Sequence, residues 1–225
     1  MRVQSNVRRS VHVAAALLAG VLLVACASGR TTITLPRSET AGAAQTSLSG
    51  ARLATVKLVT DARVYEDAPS EPSTPSLGEE PASKASADVK ARAVARKRNG
   101  YGLAQGDVIL SSTETVRSVV QSNVEAALTN AGYRVVPSIG DNGSQPIGIE
   151  VTINEFWLWL QPGVMVGTIR SRISTDIKIG TTSISVVAET SQPGQIFSEE
   201  SWAKAVGVAV DEFRKQATLK FAANR

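Results

Sequence analysis

Cys26 is the only thiol in the chain, and it stands at the end of an apolar run, Val13–Val24, that Arg2, Arg8 and Arg9 precede. Positive charge, then about a dozen apolar residues, then small residues is the layout of a secretory leader. The run is too short to span a bilayer, which takes about 20 residues. Leu23-Val24-Ala25-Cys26 has the form of a bacterial lipobox, cut between Ala25 and Cys26 so that the cysteine carries the lipid. A thiolate suits that chemistry, being the side chain most readily alkylated by a diacylglycerol donor. Ala25-Cys26-Ala27 also fits the A-x-A site of ordinary secretion. A lone cysteine at the end of the apolar run favours lipidation.

Cleavage there changes the chemistry left to the protein. His12, the only histidine, leaves with residues 1–25, and the only cysteine becomes acylated. Zinc sites built on Cys or His are then excluded, as are Cys-His and Ser-His-Asp nucleophiles. The leader also removes three of the 24 basic side chains and none of the 20 acidic ones, so the mature balance falls from +4 to +1. The basic whole-chain pI is therefore no sign of nucleic-acid binding. No nucleotide loop, metal motif or internal repeat is visible, and no cofactor or metal is expected.

Two clusters could bind something. Lys90, Arg92, Arg96, Lys97 and Arg98 are the chain's one basic run, followed by Asn99-Gly100-Tyr101-Gly102. Arg96, Lys97 and Arg98 could hold phosphate, a glycolipid or another polyanion, with Tyr101 as a stacking group. The alternative is a solvated face that offsets the acidic stretch before it. In Phe156-Trp157-Leu158-Trp159-Leu160 both faces of a strand turn apolar. Phe156, Trp157 and Trp159 could meet a partner protein or lipid, or the tip could be covered by the last helix or the Pro-rich segment. Glu150 and Glu155 are the only candidates for the paired carboxylates of a sugar hydrolase, which stand about 5–9.5 Å apart. Their odd separation points them to opposite faces unless a bulge intervenes, so no enzyme is expected.

The elements that must position these residues follow from periodicity. Residues 26–50 are small and polar and read as a lipidated cysteine and flexible tether, with a short edge strand at Thr32–Leu35 an option. A single domain, 51–225, follows. Leu53–Thr60 alternates as a strand. Residues 66–88 carry Pro69, Pro72, Pro75 and Pro81 among Ser, Glu and Ala, a composition that predicts a long mobile or surface-draped insertion with no core of its own. Val89–Arg98 is predicted as a short helix. Ser111 and Glu114 match a capping box before Val116, Val120, Val124, Ala127, Leu128 and Ala131 at helical spacing, with Gly132 as the C-cap. Tyr133–Val136 is a short strand and Asp141-Asn142-Gly143 a turn. Ile147–Ile153, Ile169–Ile179 and Ile184–Ala188 alternate as an antiparallel meander. Ser198 opens a final helix bearing Trp202, Val206, Ala209, Val210, Phe213 and Ala217. The expected fold is α/β (α+β): a mostly antiparallel sheet of four to five strands with two helices packed on one face, in the order β-loop-α-β-β-β-β-α.

The strand ending in Asp61-Ala62-Arg63, the segment Arg96–Gly102, and the helix leading to Ala131-Gly132-Tyr133-Arg134-Val135, all behind a lipobox, resemble the YajG-like family of bacterial lipoproteins. That resemblance implies a periplasm-facing α/β lipoprotein without established enzymatic activity. Ala27 is not the aspartate that retains many enteric lipoproteins in the inner membrane, so the outer membrane is expected. The function expected is a non-enzymatic accessory factor, anchored in the membrane by its lipid, that binds an envelope protein, peptidoglycan or glycolipid. The alternative is an auxiliary lipoprotein subunit of an ABC-type envelope lipid transport system.

Overall fold

The computed structural model describes residues 29–35, 51–99, 101–136, 145–163 and 166–224. Ala25 and Cys26, most of the expected tether, and the expected turn at Asp141-Asn142-Gly143 lie outside them. In chain order the elements are β1 (Thr31–Ile33), β2 (Leu53–Asp61), α1 (Ala87–Arg92), β3 (Ala93–Arg98), β4 (Ala104–Leu110), α2 (Val116–Asn130), β5 (Arg134–Val135), β6 (Ile147–Gln161), β7 (Gly167–Ile179), β8 (Thr182–Gly194) and α3 (Glu199–Ala223). No helix among the described residues is long and apolar enough to cross a membrane.

The expectation of four to five mostly antiparallel strands with two helices is corrected. One mixed sheet of eight strands, parallel and antiparallel, carries three helices. The meander β6-β7-β8 is antiparallel throughout. On its other side β6 serves two partners in turn. β2 runs parallel to its first half, from Ala54↔Ile147 to Asp61↔Ile153, and β3 pairs parallel farther on, at Ala95↔Leu158. β5 lies beyond β2, and β4 then β1 lie beyond β3, so the sheet forks along β6.

The predicted helix Val89–Arg98 is also corrected. α1 ends at Arg92, and Ala93 is extended at φ −67° and ψ 133°. Ala93, Val94 and Ala95 are fully buried, and Ala93 and Ala95 pair with β4 on either side of a bulge at Val94. Burial and ladder bonds outweigh the weak helix preference of an Ala- and Arg-rich segment.

Asp61-Ala62-Arg63 fills the fork. The Arg63 side chain is wholly buried and all five of its N–H groups are used. Nε and Nη2 donate to the two Asp61 carboxylate oxygens, both at 2.8 Å. Nη1 donates to the carbonyls of Ala93 (2.7 Å) and Phe156 (3.3 Å), and Nη2 also to that of Lys90 (2.8 Å). One guanidinium thus ties the end of β2 to β3, β6 and α1.

α2 and α3 cover one face. The stripe Val116, Val120, Val124, Ala127, Leu128 of α2 is buried, as is Trp202, Val206, Ala209, Val210, Phe213, Ala217 of α3. Each fully buried Val, Leu or Phe contributes about 1.5–3 kcal/mol, so these stripes hold the helices more than propensity does. The capping box shifts from its expected place: Thr115 is the N-cap of α2 and exchanges hydrogen bonds with Ser118. Ser111 donates to Glu114 outside the helix. Gly132 takes the left-handed conformation (φ 87°) expected of the residue that stops α2.

The Pro-rich segment covers the opposite face and does have a core. Leu77, Ala82 and Ala85 pack with Val89, Ala93, Ile109 and Trp157 in a second cluster. Asp107 of β4 fastens it. This fully buried carboxylate accepts from the Gly78 N–H at 2.6 Å and faces Arg30 Nε at 3.5 Å, and Arg30 also pairs with Glu79 and Glu80. Burial is the main cause of the raised Asp107 pKa, partly offset by the Gly78 N–H and Arg30.

Candidate binding cleft

β6 changes parity where its register slips between Ile153 and Glu155. The extra residue, Asn154, lets Phe156 and Leu158 face the main helical core while Trp157 and Trp159 face the Pro-rich segment. Without that bulge the aromatic residues would exchange faces. β7 then sets Arg172 opposite Trp157 and Arg170 opposite Trp159, and β8 sets Glu189 opposite Arg172.

These side chains line a cleft of about 490 Å³ walled on one side by Ser73, Thr74 and Pro75. Trp157 is its floor rather than its contact surface. It is 1% exposed, donates from Nε1 to the Pro72 carbonyl at 3.3 Å, and meets the Tyr65 ring edge-on at 6.0 Å. Phe156 is fully buried in the main core. Trp159 is half-buried and lines the cleft. Of the three aromatic candidates, only Trp159 is therefore placed to touch a partner.

Charge in the cleft is uneven. Arg172 lies between Glu155 (3.0 Å) and Glu189 (3.3 Å), which commits both carboxylates to one cation. Arg170 is exposed, and among the described residues it makes no ion pair or hydrogen bond. An exposed guanidinium directly across the ladder from a tryptophan is suited to a carboxylate or phosphate next to a flat apolar group. The bulge does bring Glu155 to the face of Glu150. Their partners on β7, Ser174 and Lys178, are four residues apart, which is about 13 Å along a strand. That exceeds the spacing of a glycosidase pair, and Glu150 is within 3.9 Å of Lys178. Among the described residues no group of three His, Cys, Asp or Glu is placed to hold a metal ion.

The basic candidates lie on β3, at the far end of the fork. Lys97 Nζ donates to Thr31 Oγ1 at 2.8 Å and Arg98 Nη1 to the Gly102 carbonyl at 3.2 Å. Arg96 Nε and Nη1 and Arg98 Nη2 have no hydrogen-bond partner. Burial, with the neighbouring Arg96 charge, lowers the Arg98 pKa. Tyr101, 93% exposed, caps the hairpin that joins β3 to β4 and is not part of the cleft. The pairing Ala95↔Leu158 sets the positions of Arg96 and Trp159 side by side, which links the two clusters. Arg170 and Arg172 were missed as site residues. The alternation of β7 put them on one face, but only the ladder with β6 shows that this face carries Trp159.

No family model and no curated protein matches the chain. Its fold is similar to that of the Xanthomonas campestris protein XCC0632, of the family model DUF330, with a TM-score of 0.44 and 10% identity over 87% of this chain and 93% of that one. A second solved structure, described as an uncharacterized protein, gives a TM-score of 0.42 and 11% identity over 86% and 98%. The functional reading rests on the residues of this chain.

Proposed function

We propose that this chain is a lipid-anchored lipoprotein of the bacterial envelope, held by Cys26 in the outer membrane, that acts as a non-enzymatic accessory factor. Its cleft takes an acidic, extended segment of an envelope partner protein. The observation that carries this reading is the pairing of Trp159 with the unpartnered Arg170 in an open cleft with a preformed wall. The resemblance of Asp61-Ala62-Arg63 and Ala131–Val135 to YajG-like lipoproteins is in keeping with it. The alternative, an auxiliary subunit of an ABC-type lipid transport system, calls for an apolar groove. Ser73, Thr74, Asn154, Arg170, Arg172 and Glu189 make this cleft polar instead.

Crosslinking in cells tests the proposal, with a photoreactive residue in place of Trp159 and adducts read by mass spectrometry. One dominant protein adduct, reduced at least tenfold by Arg170→Glu, is expected. Lipid adducts alone would shift the assignment to the transport system, and glycan adducts to wall binding. No adduct in a strain that makes the anchored protein would remove the cleft as a functional surface.

A further inference from the structure

The position of β1 gives the domain an orientation. β1 runs parallel to β4, Thr31↔Val108 to Ile33↔Leu110, and the Gly29 N–H donates to the Gln105 carbonyl at 3.1 Å. Followed backward from Thr31, the chain therefore travels from Val108 toward Gln105 and the hairpin that joins β3 to β4. Gly29 is seated closely there: a Cβ on Gly106 would run into its carbonyl. Cys26 is three residues before Gly29, a reach of at most about 10 Å. Whatever path those residues take, the lipidated position stays near the hairpin tip.

That tip is built to meet an interface. Tyr101 is 93% exposed and Leu103 65% exposed, while most large apolar side chains of the domain are covered. They are presented on a defined turn. Asn99 Oδ1 accepts from the Tyr101 and Leu103 N–H groups at 3.0 and 2.9 Å, and the Asn99 N–H donates to the Leu103 carbonyl at 2.9 Å. Behind the turn stand Arg96 and Arg98, both half-buried: Arg96 Nε and Nη1 and Arg98 Nη2 are buried without an acceptor, and the rest of each guanidinium lies toward the surface. An exposed tyrosine and leucine backed by guanidinium groups is the arrangement that settles at the headgroup level of a bilayer, ring and alkyl inward, cations on phosphate.

We propose that the β3–β4 hairpin is a second membrane contact, with Tyr101 and Leu103 seated in the leaflet that holds the Cys26 lipid and the half-buried Arg96 and Arg98 setting positive charge beside its phosphates. This rests on the lipid-anchor reading of Cys26. Two side chains would not recruit a free domain, but the anchor already holds the tip within reach, so a weak contact is engaged through its effective concentration. The domain then stands with the β3–β4 end down and the β7–β8 turn away from the membrane, no longer free to tumble about its attachment.

The full acylated protein in vesicles of phosphatidylethanolamine and phosphatidylglycerol tests this. A fluorophore placed through Tyr101→Cys would be read against one placed through Ser183→Cys, beside the β7–β8 turn, with lipid-borne quenchers. Acylation leaves each introduced thiol as the only one available. Quenching at least threefold stronger at position 101 is expected, and it should fall to the level of position 183 when Leu103→Ser and Arg96→Gln are added. Equal quenching at the two positions, with the acyl mass verified on Cys26, overturns the contact and leaves the anchor standing. Excess quenching that survives Leu103→Ser and Arg96→Gln belongs to the fluorophore and also overturns it. An unacylated Cys26 overturns the contact and the anchor together.

Discussion

Every N–H of the Arg63 guanidinium has an acceptor, and three of those acceptors are main-chain carbonyls of different elements. Truncating the side chain would take the guanidinium from the Phe156 carbonyl and the Asp61 carboxylate and leave the Lys90 and Ala93 carbonyls only the Tyr65 hydroxyl to share. Arg63→Ala should cost about 3–5 kcal/mol, the range for breaking a buried ion pair from one side, seen as a lower midpoint in urea. Arg63→Lys should recover less than half, because an ammonium offers three donors where five are used. Tyr65 covers this network: its ring lies 5.4 Å from the Arg63 guanidinium and its hydroxyl donates to the Lys90 carbonyl at 2.9 Å. Burial, opposed by the Arg63 charge, pushes the Tyr65 pKa up to about 12. The native phenol keeps its proton where the unfolded one releases it. Stability should therefore be full below about pH 10 and fall as pH rises toward 12, by on the order of 2 kcal/mol. Tyr65→Phe should flatten that decline in denaturant titrations while costing about 1 kcal/mol at neutral pH for the lost hydrogen bond. An unchanged alkaline decline would separate it from Tyr65.

At the scale of elements, β1 depends on a glycine it does not contain. Gly106 sits at φ 115°, where an L residue is strained, and any Cβ there would strike the Gly29 carbonyl. Gly106→Ala should cost about 1–3 kcal/mol and speed hydrogen exchange at residues 29–33 by at least tenfold, with β6–β8 unaffected. Unchanged protection in β1 would show that the strand is held elsewhere. The same glycine hid β4 from the sequence: Gly106-Asp107 in the middle of a seven-residue segment looks like a turn. The helical stripes and the meander were legible because each is a local period, 3.6 or 2, that one buried face imposes. The parallel pairings of β2 and β3 with β6 were not, since their partners lie far apart in sequence and leave no local pattern. Arg63 was silent for a related reason, its partners being carbonyls that every residue has. At the cleft, Trp159 could be named from composition, whereas Arg170 needed the register across β6 and β7 to become its neighbour.

Across the whole molecule, two apolar clusters lie on opposite faces but are made by the same strands. Ala93 and Val94, Ile109 and Val108, and Trp157 and Leu158 contribute adjacent residues to one cluster and the other. Neither face can lose its packing without disturbing the ladder beneath the other. Thermal unfolding should therefore be one transition. In Trp202→Phe, where emission comes only from the Trp157 and Trp159 face, the fluorescence midpoint should coincide with that of far-ultraviolet circular dichroism. A fluorescence change several degrees earlier would make the Pro-rich cover a separately melting unit.

The seating of β1 has a mechanical consequence. With the lipid at Cys26, any pull between membrane and partner enters the domain at Gly29 and runs along β1. Because β1 is parallel to β4, its three ladder positions and the flanking bonds from Gly29 to Gln105 and from Ser111 to Ile33 are loaded side by side, in shear, and yield together. Their release would pass the load from β1 on toward β2, where the fork begins. On the proposed anchoring at Cys26, this three-residue strand is therefore the part of the domain that yields first under load, ahead of the fork and the cleft.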